Sequence, residues 1–454
     1  MTPLAIDKVC IVGLGYIGLP TAAVLASRGV CVLGVDVKLE VVETINRGDV
    51  HIIEPDLKDI IADAVADGFL RAATEPEPAD VFILAVPTPL RNGKADVTYV
   101  EAAARSIAQY LSHGNIVIVE STCPPGTTER VAQILAELRS DLRLPAGRDE
   151  PCDVFVAYCP ERVLPGRVLT ELVENNRVIG GISDACSRRA VRFYTIFCKG
   201  TLLTTDARTA EMCKLTENAF RDVNIAFANE LSLICDELDI DVWELIRLAN
   251  GHPRVNILQP GPGVGGHCIA VDPWFIVEAA PRESRIVRMA REINDGKPAW
   301  VIEKVGAALA GRAGPVRVAC LGLAFKADVD DLRESPALHI AEQLATWADC
   351  ELRVCEPFIK ELPRSLTGRS NVTLVANGER AVDGADVVLL LVNHSQFGRI
   401  PREALAGKAV IDTRGVWSQR RSDAAANSRS KSAAPTQTRS PPISEDVLLV
   451  EPYA

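Results

Sequence analysis

The strongest constraint on the fold lies within the first forty residues. Val9-Cys10-Ile11-Val12 is a short, unbroken apolar run, the composition of a strand buried on both faces of a parallel sheet. It leads straight into Gly13-Leu14-Gly15-Tyr16-Ile17-Gly18, and a helical stretch, Leu19 to Arg28, follows. A second strand, Cys31 to Val35, ends at Asp36, 23 positions after Gly13. Glycines at such a turn let the backbone close tightly and approach a pyrophosphate, whose charge rests on the helix N-terminus. A carboxylate where Asp36 stands accepts hydrogen bonds from the adenosine ribose and repels a 2′-phosphate. The pattern therefore reads as a site for NAD rather than NADP, with the cation of Lys38 nearby as the one feature against that choice.

Further α/β units follow. Asp80 to Val86 is a strand ending in Pro87-Thr88-Pro89, and Asn115 to Glu120 is another, ending in Ser121-Thr122-Cys123-Pro124-Pro125-Gly126-Thr127-Thr128. In doubly wound sheets ligands sit beyond the carboxyl ends of the strands, so both loops are expected to face the cofactor; ordinary turn chemistry is the plainer reading of each alone. From Ala207 to about Asn250 the apolar spacing becomes helical. Lys214, Asn218 and Arg221 fall at i, i+4 and i+7 and share a face, which alone reads as a solvated charged surface. A long helix between α/β domains also suits a subunit interface. Val316 to Gly322 begins a second α/β unit, with a helix from Pro336 to Trp347 and strands at Leu352 to Cys355, Val387 to Val392 and Ala409 to Ile411. Its first turn, Ala324-Phe325-Lys326-Ala327-Asp328, lacks the glycine triplet and offers the charge of Lys326 instead.

The expected fold is α/β: two Rossmann-like doubly wound parallel-sheet domains joined by a central helical segment, plus a disordered C-terminal tail. The divisions fall at 1–205, 206–305, 306–418 and 419–454, consistent with about 150 residues per domain over 454. The tail is assigned to disorder because Ser418 to Pro442 is rich in serine, alanine and arginine and almost without large apolar groups. Lys+Arg number 49 against Asp+Glu 60, a net charge of -11, which argues against a nucleic-acid or anionic-membrane partner. No apolar run approaches the roughly 20 residues needed to span a bilayer. Met1 to Val9 carries Asp7 and Lys8 and does not read as a signal peptide, so the 13 scattered cysteines are expected to be reduced thiols of a cytoplasmic protein.

The most unusual segment is Gly261-Pro262-Gly263-Val264-Gly265-Gly266-His267-Cys268-Ile269-Ala270-Val271-Asp272-Pro273. Successive glycines leave backbone N–H groups free for an anion nest around one thiol, a setting that favours thiolate, the nucleophilic form. His252 and His267 lack the spacing of zinc ligands, and no metal is expected.

At this point the chain resembles the nucleotide-sugar 6-dehydrogenases, the family that includes UDP-glucose dehydrogenase, from about Val9 to Trp417. The resemblance rests on Gly13 through Pro20, Ser121-Thr122, Pro160-Glu161, Lys214-Leu215-Thr216-Glu217-Asn218, Gly265 through Asp272, and Gly322 through Arg333-Glu334-Ser335. It implies NAD-dependent, four-electron oxidation of a UDP-sugar C6 hydroxymethyl group to a carboxylate, through a thiohemiacetal and a thioester on Cys268. In that implied scheme Lys214 moves protons or holds an oxyanion with Asn218, Glu161 and Asp272 orient or activate water, and Thr122 assists. Gly13, Gly15, Tyr16, Ile17, Gly18, Asp36, Thr88, Thr127 and Arg333 hold NAD. Arg162, Val163, Lys214, Asn218, Arg221, His252, Arg254, Gly265, Phe325 and Lys326 surround the nucleotide sugar, Arg254 reaching across a subunit interface. A homodimer or higher homo-oligomer and a role in surface polysaccharide assembly are implied by analogy alone.

One departure is informative. UDP-glucose dehydrogenases carry Phe-Leu after the shared Pro-Glu and a second glutamate four residues past the first; here Arg162-Val163 and Pro165 occupy those places. No catalytic role for a second glutamate carries over, and a 2-acetamido sugar is implied in place of glucose. Pro160 through Arg167, Asn175 through Gly181 and His252 through Asn256 resemble the branch that acts on UDP-N-acetyl-D-mannosamine. UDP-N-acetyl-D-glucosamine, its C2 epimer, stays open as the alternative, and UDP-glucose is less favoured.

Overall fold

The structure is a computed structural model, and it describes residues 6–418 apart from 92, 148–150, 165 and 313. Pro165 and the 419–454 segment assigned to disorder lie outside the described residues.

The first unit is built on β1 (Lys8–Val12), β2 (Cys31–Val35), β3 (Leu70–Ala73), β4 (Val81–Leu84), a short hairpin of β5 (Leu90–Arg91) and β6 (Lys94–Ala95), β7 (Ile116–Val119), β8 (Phe155–Tyr158), β9 (Arg177–Gly181) and β10 (Leu202–Asp206). Without the hairpin these form an eight-stranded sheet in the order β10-β9-β8-β7-β4-β1-β2-β3. All neighbours are parallel except β8 and β9, where the chain turns back. Alternate side chains serve opposite faces: Val9 and Ile11 join one buried cluster while Cys10 and Val12 join the other. That is why the strand reads as a continuous apolar run and not as an alternation.

The second unit repeats the plan with β11 (Val316–Leu321), β12 (Cys350–Cys355), β13 (Val372–Leu374), β14 (Val387–Leu390) and β15 (Ala409–Asp412). Its sheet is all parallel, ordered β13-β12-β11-β14-β15. In each sheet the strand order reverses beside the first strand, at β1/β4 and at β11/β14, and the crevice at such a reversal is where ligands bind.

Between the units, the helix Ala207–Glu237 packs along the helix Arg285–Leu309. Their contact carries buried polar groups: Arg291 Nη1 meets Asp222 Oδ1 at 2.6 Å, Asn294 Nδ2 donates to the same carboxylate at 2.8 Å, and Lys297 Nζ donates to Ser232 Oγ at 2.7 Å. The helical stretch expected over 207–250 is two helices. Asp239 adopts a left-handed φ of 54°, and Asp241 accepts from the Trp243 and Glu244 N–H groups to start Val242–Ala249.

Candidate functional site

The glycine turn after β1 is shaped by packing on one side and left open on the other. Gly13 has φ +98°, and a Cβ there would lie 2.4 Å from the Ala85 carbonyl; a Cβ on Gly18 would lie 1.8 Å from the Gly13 carbonyl. A Cβ on Gly15 would meet nothing within 4 Å, so that face of the turn is free for a ligand. Asp36, at the tip of β2, is half-buried and accepts from Leu14 N at 3.2 Å and Lys38 N at 3.0 Å. Across the crevice, Thr88 Oγ1 is buried and has no hydrogen-bond partner. An open glycine turn, a carboxylate with lone pairs to spare and an orphaned hydroxyl fit the phosphates and ribose of a dinucleotide. Tyr16 lies exposed on this turn, and Arg333 of the second unit sits over its ring at 5.7 Å. Thr127 points elsewhere: its hydroxyl donates to Pro124 O at 2.7 Å.

Cys268 stands one turn before the helix Asp272–Ala279, its carbonyl accepting from Asp272 N at 2.8 Å. Asn218 Nδ2 donates to Asp272 Oδ2, and Leu215 and Ala219 pack against Phe275 and Ile276 of the same helix. The central helix thus presents Lys214 and Asn218 to the Cys268 and Asp272 corner. Burial pushes the Asp272 carboxyl up to about 6, against the opposing pull of Asn218 and Lys214. Burial and the Asp272 charge push the Cys268 thiol up to about 11, with Lys214 and Arg333 acting in the other direction.

The thiolate expected from the glycine pattern is therefore not what the fold favours. The glycines serve the second unit instead. A Cβ on Gly265 would lie 2.5 Å from Glu334 O and 2.8 Å from Phe325 Cβ, and Gly266 N donates to Arg333 O at 3.2 Å. The N–H of Gly266 is spent on that loop, and the thiol is partly buried.

The loop after β8 is held by ion pairs. Glu161, 7% exposed, accepts from Arg177 Nη2 at 3.0 Å and from Arg162 N at 2.7 Å. Arg162 pairs with Glu217 on the central helix at 2.8 Å and donates to Asn176 O at 3.2 Å. Arg221, His252, Arg254, His267 and Lys326 are exposed, while Phe325 is half-buried against the Gly266 backbone.

Three buried carboxyl groups bracket this region. Two of them, Glu120 and Glu211, carried no motif that sequence reasoning could use; the third is Glu161. Glu211 accepts from Gly126 N at 2.6 Å and from Thr128 N at 2.7 Å, fastening the Ser121–Thr128 loop to the central helix. Glu120 accepts from the Tyr194 hydroxyl at 2.6 Å. The only available signal was a charge at the end of an apolar strand.

Three family profiles match the chain in order, all from the UDP-glucose/GDP-mannose dehydrogenase family: its NAD binding domain over 7–198, its central domain over 208–296 and its UDP binding domain over 319–419. UDP-N-acetyl-D-mannosamine dehydrogenase of Escherichia coli strain K12 is 57% identical over 422 residues, 91% of this chain and 100% of that protein. NDP-N-acetyl-D-galactosaminuronic acid dehydrogenase of Ralstonia nicotianae is 57% identical over 414 residues, 91% of this chain and 97% of that one. Among solved structures, UDP-D-ManNAc dehydrogenase from Pyrococcus horikoshii aligns with a TM-score of 0.79 at 38% identity, covering 90% of this chain and 96% of that chain.

Proposed function

The chain belongs to the UDP-glucose/GDP-mannose dehydrogenase family and is an NAD-dependent nucleotide-sugar dehydrogenase, and from that premise we propose that it oxidises C6 of UDP-N-acetyl-D-mannosamine to the uronate. The observation that carries the chemistry is the corner where Cys268, Asp272, Asn218 and Lys214 meet beneath the second unit. The observation that favours a 2-acetamido sugar is the Glu161–Val163 loop, braced to the central helix through Arg162 and Glu217. Relatives that share this chain's length act, by their names, on N-acetylated sugars of more than one configuration.

Gly13, Gly15, Tyr16, Ile17, Gly18, Asp36 and Thr88 line the crevice that holds NAD, with Arg333 closing it from the second unit, while the Thr127 hydroxyl stays turned to the Pro124 carbonyl. NAD+, when bound, supplies the hydride acceptor for each of two oxidations. The chain's own residues do the rest. The charged Lys214 and Asn218 steady the C6 oxygen as the hydroxyl proton passes to water and the alcohol becomes an aldehyde. Because burial holds Cys268 as a thiol, its attack needs a base: the Sγ–C6 bond forms as the aldehyde C=O π pair moves onto oxygen, while the thiol proton passes to Asp272. The thiohemiacetal gives up a hydride from C6 and becomes a thioester. Water, oriented by Glu161 with Thr122 at hand, adds to the thioester carbon; the C–S bond breaks, the thiol regains its proton and a carboxylate leaves.

We assign the nucleotide sugar to Arg162, Val163, Gly265, Phe325 and Lys326, with Arg221, His252 and Arg254 at the rim. Their exposure fits a subunit contact, and the central helix offers one: Phe220, Phe227 and Ile234 recur every seven residues at 71%, 51% and 47% exposure. A second copy packed on that stripe makes the protein a homodimer. No described helix is long and apolar enough to cross a membrane, and all thirteen cysteines are free thiols, which suits the cytoplasm.

The test is a side-by-side assay of UDP-N-acetyl-D-mannosamine, its glucosamine and galactosamine counterparts and UDP-glucose. Two NADH per uronate on the mannosamine sugar, with the others at least tenfold slower in kcat/KM, is the expected result. A higher kcat/KM on any other sugar overturns the assignment. Cys268→Ser should make no acid at all, and full NADH yield from that variant overturns the covalent route.

A further inference from the structure

The assigned chemistry leaves Arg177 and Glu120 without a part, and both lie inside the wall of the crevice. Arg177 begins β9, the strand antiparallel to β8, so its side chain crosses to the segment where β8 ends and Cys159-Pro160-Glu161 begins. There it is 4% exposed against a Glu161 side chain at 6%. One Nη2 serves two acceptors, Glu161 Oε2 at 3.0 Å and Leu172 O at 3.2 Å, while Nη1 lies 3.8 Å from Cys159 Sγ. The guanidinium rests on the rings of Tyr194 and Phe197, at 4.9 Å and 5.4 Å. Tyr194 in turn donates to Glu120, the residue directly before Ser121-Thr122, and Glu120 Oε2 and Arg177 Nε are both buried without partners.

We propose that Arg177 is the positioning residue that holds Glu161 in its working orientation, and that Tyr194 and Glu120 hold Arg177 in turn. The proposal rests on Glu161 taking part in hydrolysis. A buried ion pair is weak evidence for stability, since its desolvation offsets most of its attraction, and a well-packed apolar pair does as well. This one leaves Arg177 Nε unpaired, with Glu120 Oε2 unpaired nearby, a further cost that a purely structural pair would shed. It also joins the ends of β7 and β8, whose loops carry Thr122 and Glu161. The groups that face Arg177 are Glu161, Cys159, Tyr194 and Glu120. Burial, with the nearby Glu161 charge, pushes Glu120 up to about 7 against the pull of Arg177 and Tyr194, so below neutrality it keeps its proton and leaves the guanidinium to Glu161. Above that range a second carboxylate competes for the same cation.

Steady-state kinetics of the full chain with NAD+ and UDP-N-acetyl-D-mannosamine test this. Glu161→Gln should lower kcat about 100-fold, within the usual range for losing an acid–base group. Arg177→Lys, which keeps the charge and loses the fork, should lower kcat at least tenfold with KM for NAD+ within twofold. Placed in the Glu161→Gln background it should add less than twofold, because the two act as one unit. Additive losses, or an Arg177→Lys enzyme with the wild-type kcat, overturn the proposal and leave the Glu161 reading standing. A Glu161→Gln enzyme at full rate overturns the Glu161 reading itself, and this inference with it. Should Arg177→Lys fail to fold, Glu120→Gln decides: it should erase an inflection near pH 7 from the log kcat profile, and an unaltered profile overturns the network.

Discussion

Gly13 and Gly322 occupy the same place in the two α/β units. Each follows the first strand with a left-handed φ, +98° and +94°, and in each a Cβ would strike the chain leaving the fourth strand of its sheet, at Ala85 or at Val392. The next residue also behaves alike: Leu14 N donates to Asp36, and Leu323 N donates to Glu356 at 2.7 Å. There the likeness ends. Asp36 is only partly buried and Gly15 stands clear. Glu356 is buried and fully engaged by Leu323 N, Ala324 N, Phe358 N and His394 Nε2, the last at 3.0 Å. Ala324 fills the place of the open glycine at 1% exposure. One turn stays open, and its twin has been closed into a brace.

Breaking the brace should cost most. Glu356→Ala strands a buried His394 and the buried Leu323 and Ala324 N–H groups, so about 3–9 kcal/mol of stability should go at roughly 1–3 kcal/mol per unpaired group. Denaturant melts of the full chain read this directly, and NAD affinity of the folded fraction should hold. A fall in NAD affinity at constant stability would mean that the second turn takes part in NAD binding after all. Next in size, Gly322→Ala forces a Cβ to 2.4 Å from Val392 Cβ at a left-handed φ, which should cost about 1–3 kcal/mol in the same melts. Asp36→Ala sits at the other pole. It should weaken NAD about tenfold, about 1.4 kcal/mol, with little change in the melt and a relaxed preference against NADP in titrations.

The smallest effects lie in pH, where two buried carboxyls run in opposite directions. Burial alone would raise Glu356, but His394 and the Leu323 and Ala324 amides outweigh it and hold the group below its usual value. Its contribution is therefore present above the ordinary glutamate range and fades as pH falls through its lowered value. Asp272 is lifted from 3.8 to about 6, so the folded state keeps that proton longer and stability declines as pH rises between those values. Melting temperature against pH should flatten in that window for Asp272→Asn. The wild-type kcat should rise as Asp272 ionises through about pH 6, and a flat acid limb would remove Asp272 as the base.

The glycine turn after β1, the acid at the end of β2 and the strand-by-strand alternation of units were legible because each is a local requirement. A Cβ cannot fit at Gly13, and a parallel strand buried on both faces must be apolar throughout. The Lys214 and Asn218 pair was legible as one helical face, but not as a face turned to a thiol; the same spacing describes a solvated surface, as Arg221 one turn further on shows by its exposure. The Gly265-Gly266 pair was legible as unusual and misread in purpose. A nest and a close approach leave the same mark in sequence, and only the position of Phe325 and Glu334 separates them.

What the sequence by itself determined, then, is the periodicity, the turns and the order of units, since these follow from steric and burial rules that act over a few residues. The state of each ionisable group was decided by the tertiary structure. Glu120, Glu161 and Arg177 are far apart in the chain and meet only because β7, β8 and β9 are neighbours in one sheet. Cys268 is a suppressed thiol and Asp272 a raised acid because burial, which no local pattern encodes, sets the cost of charge.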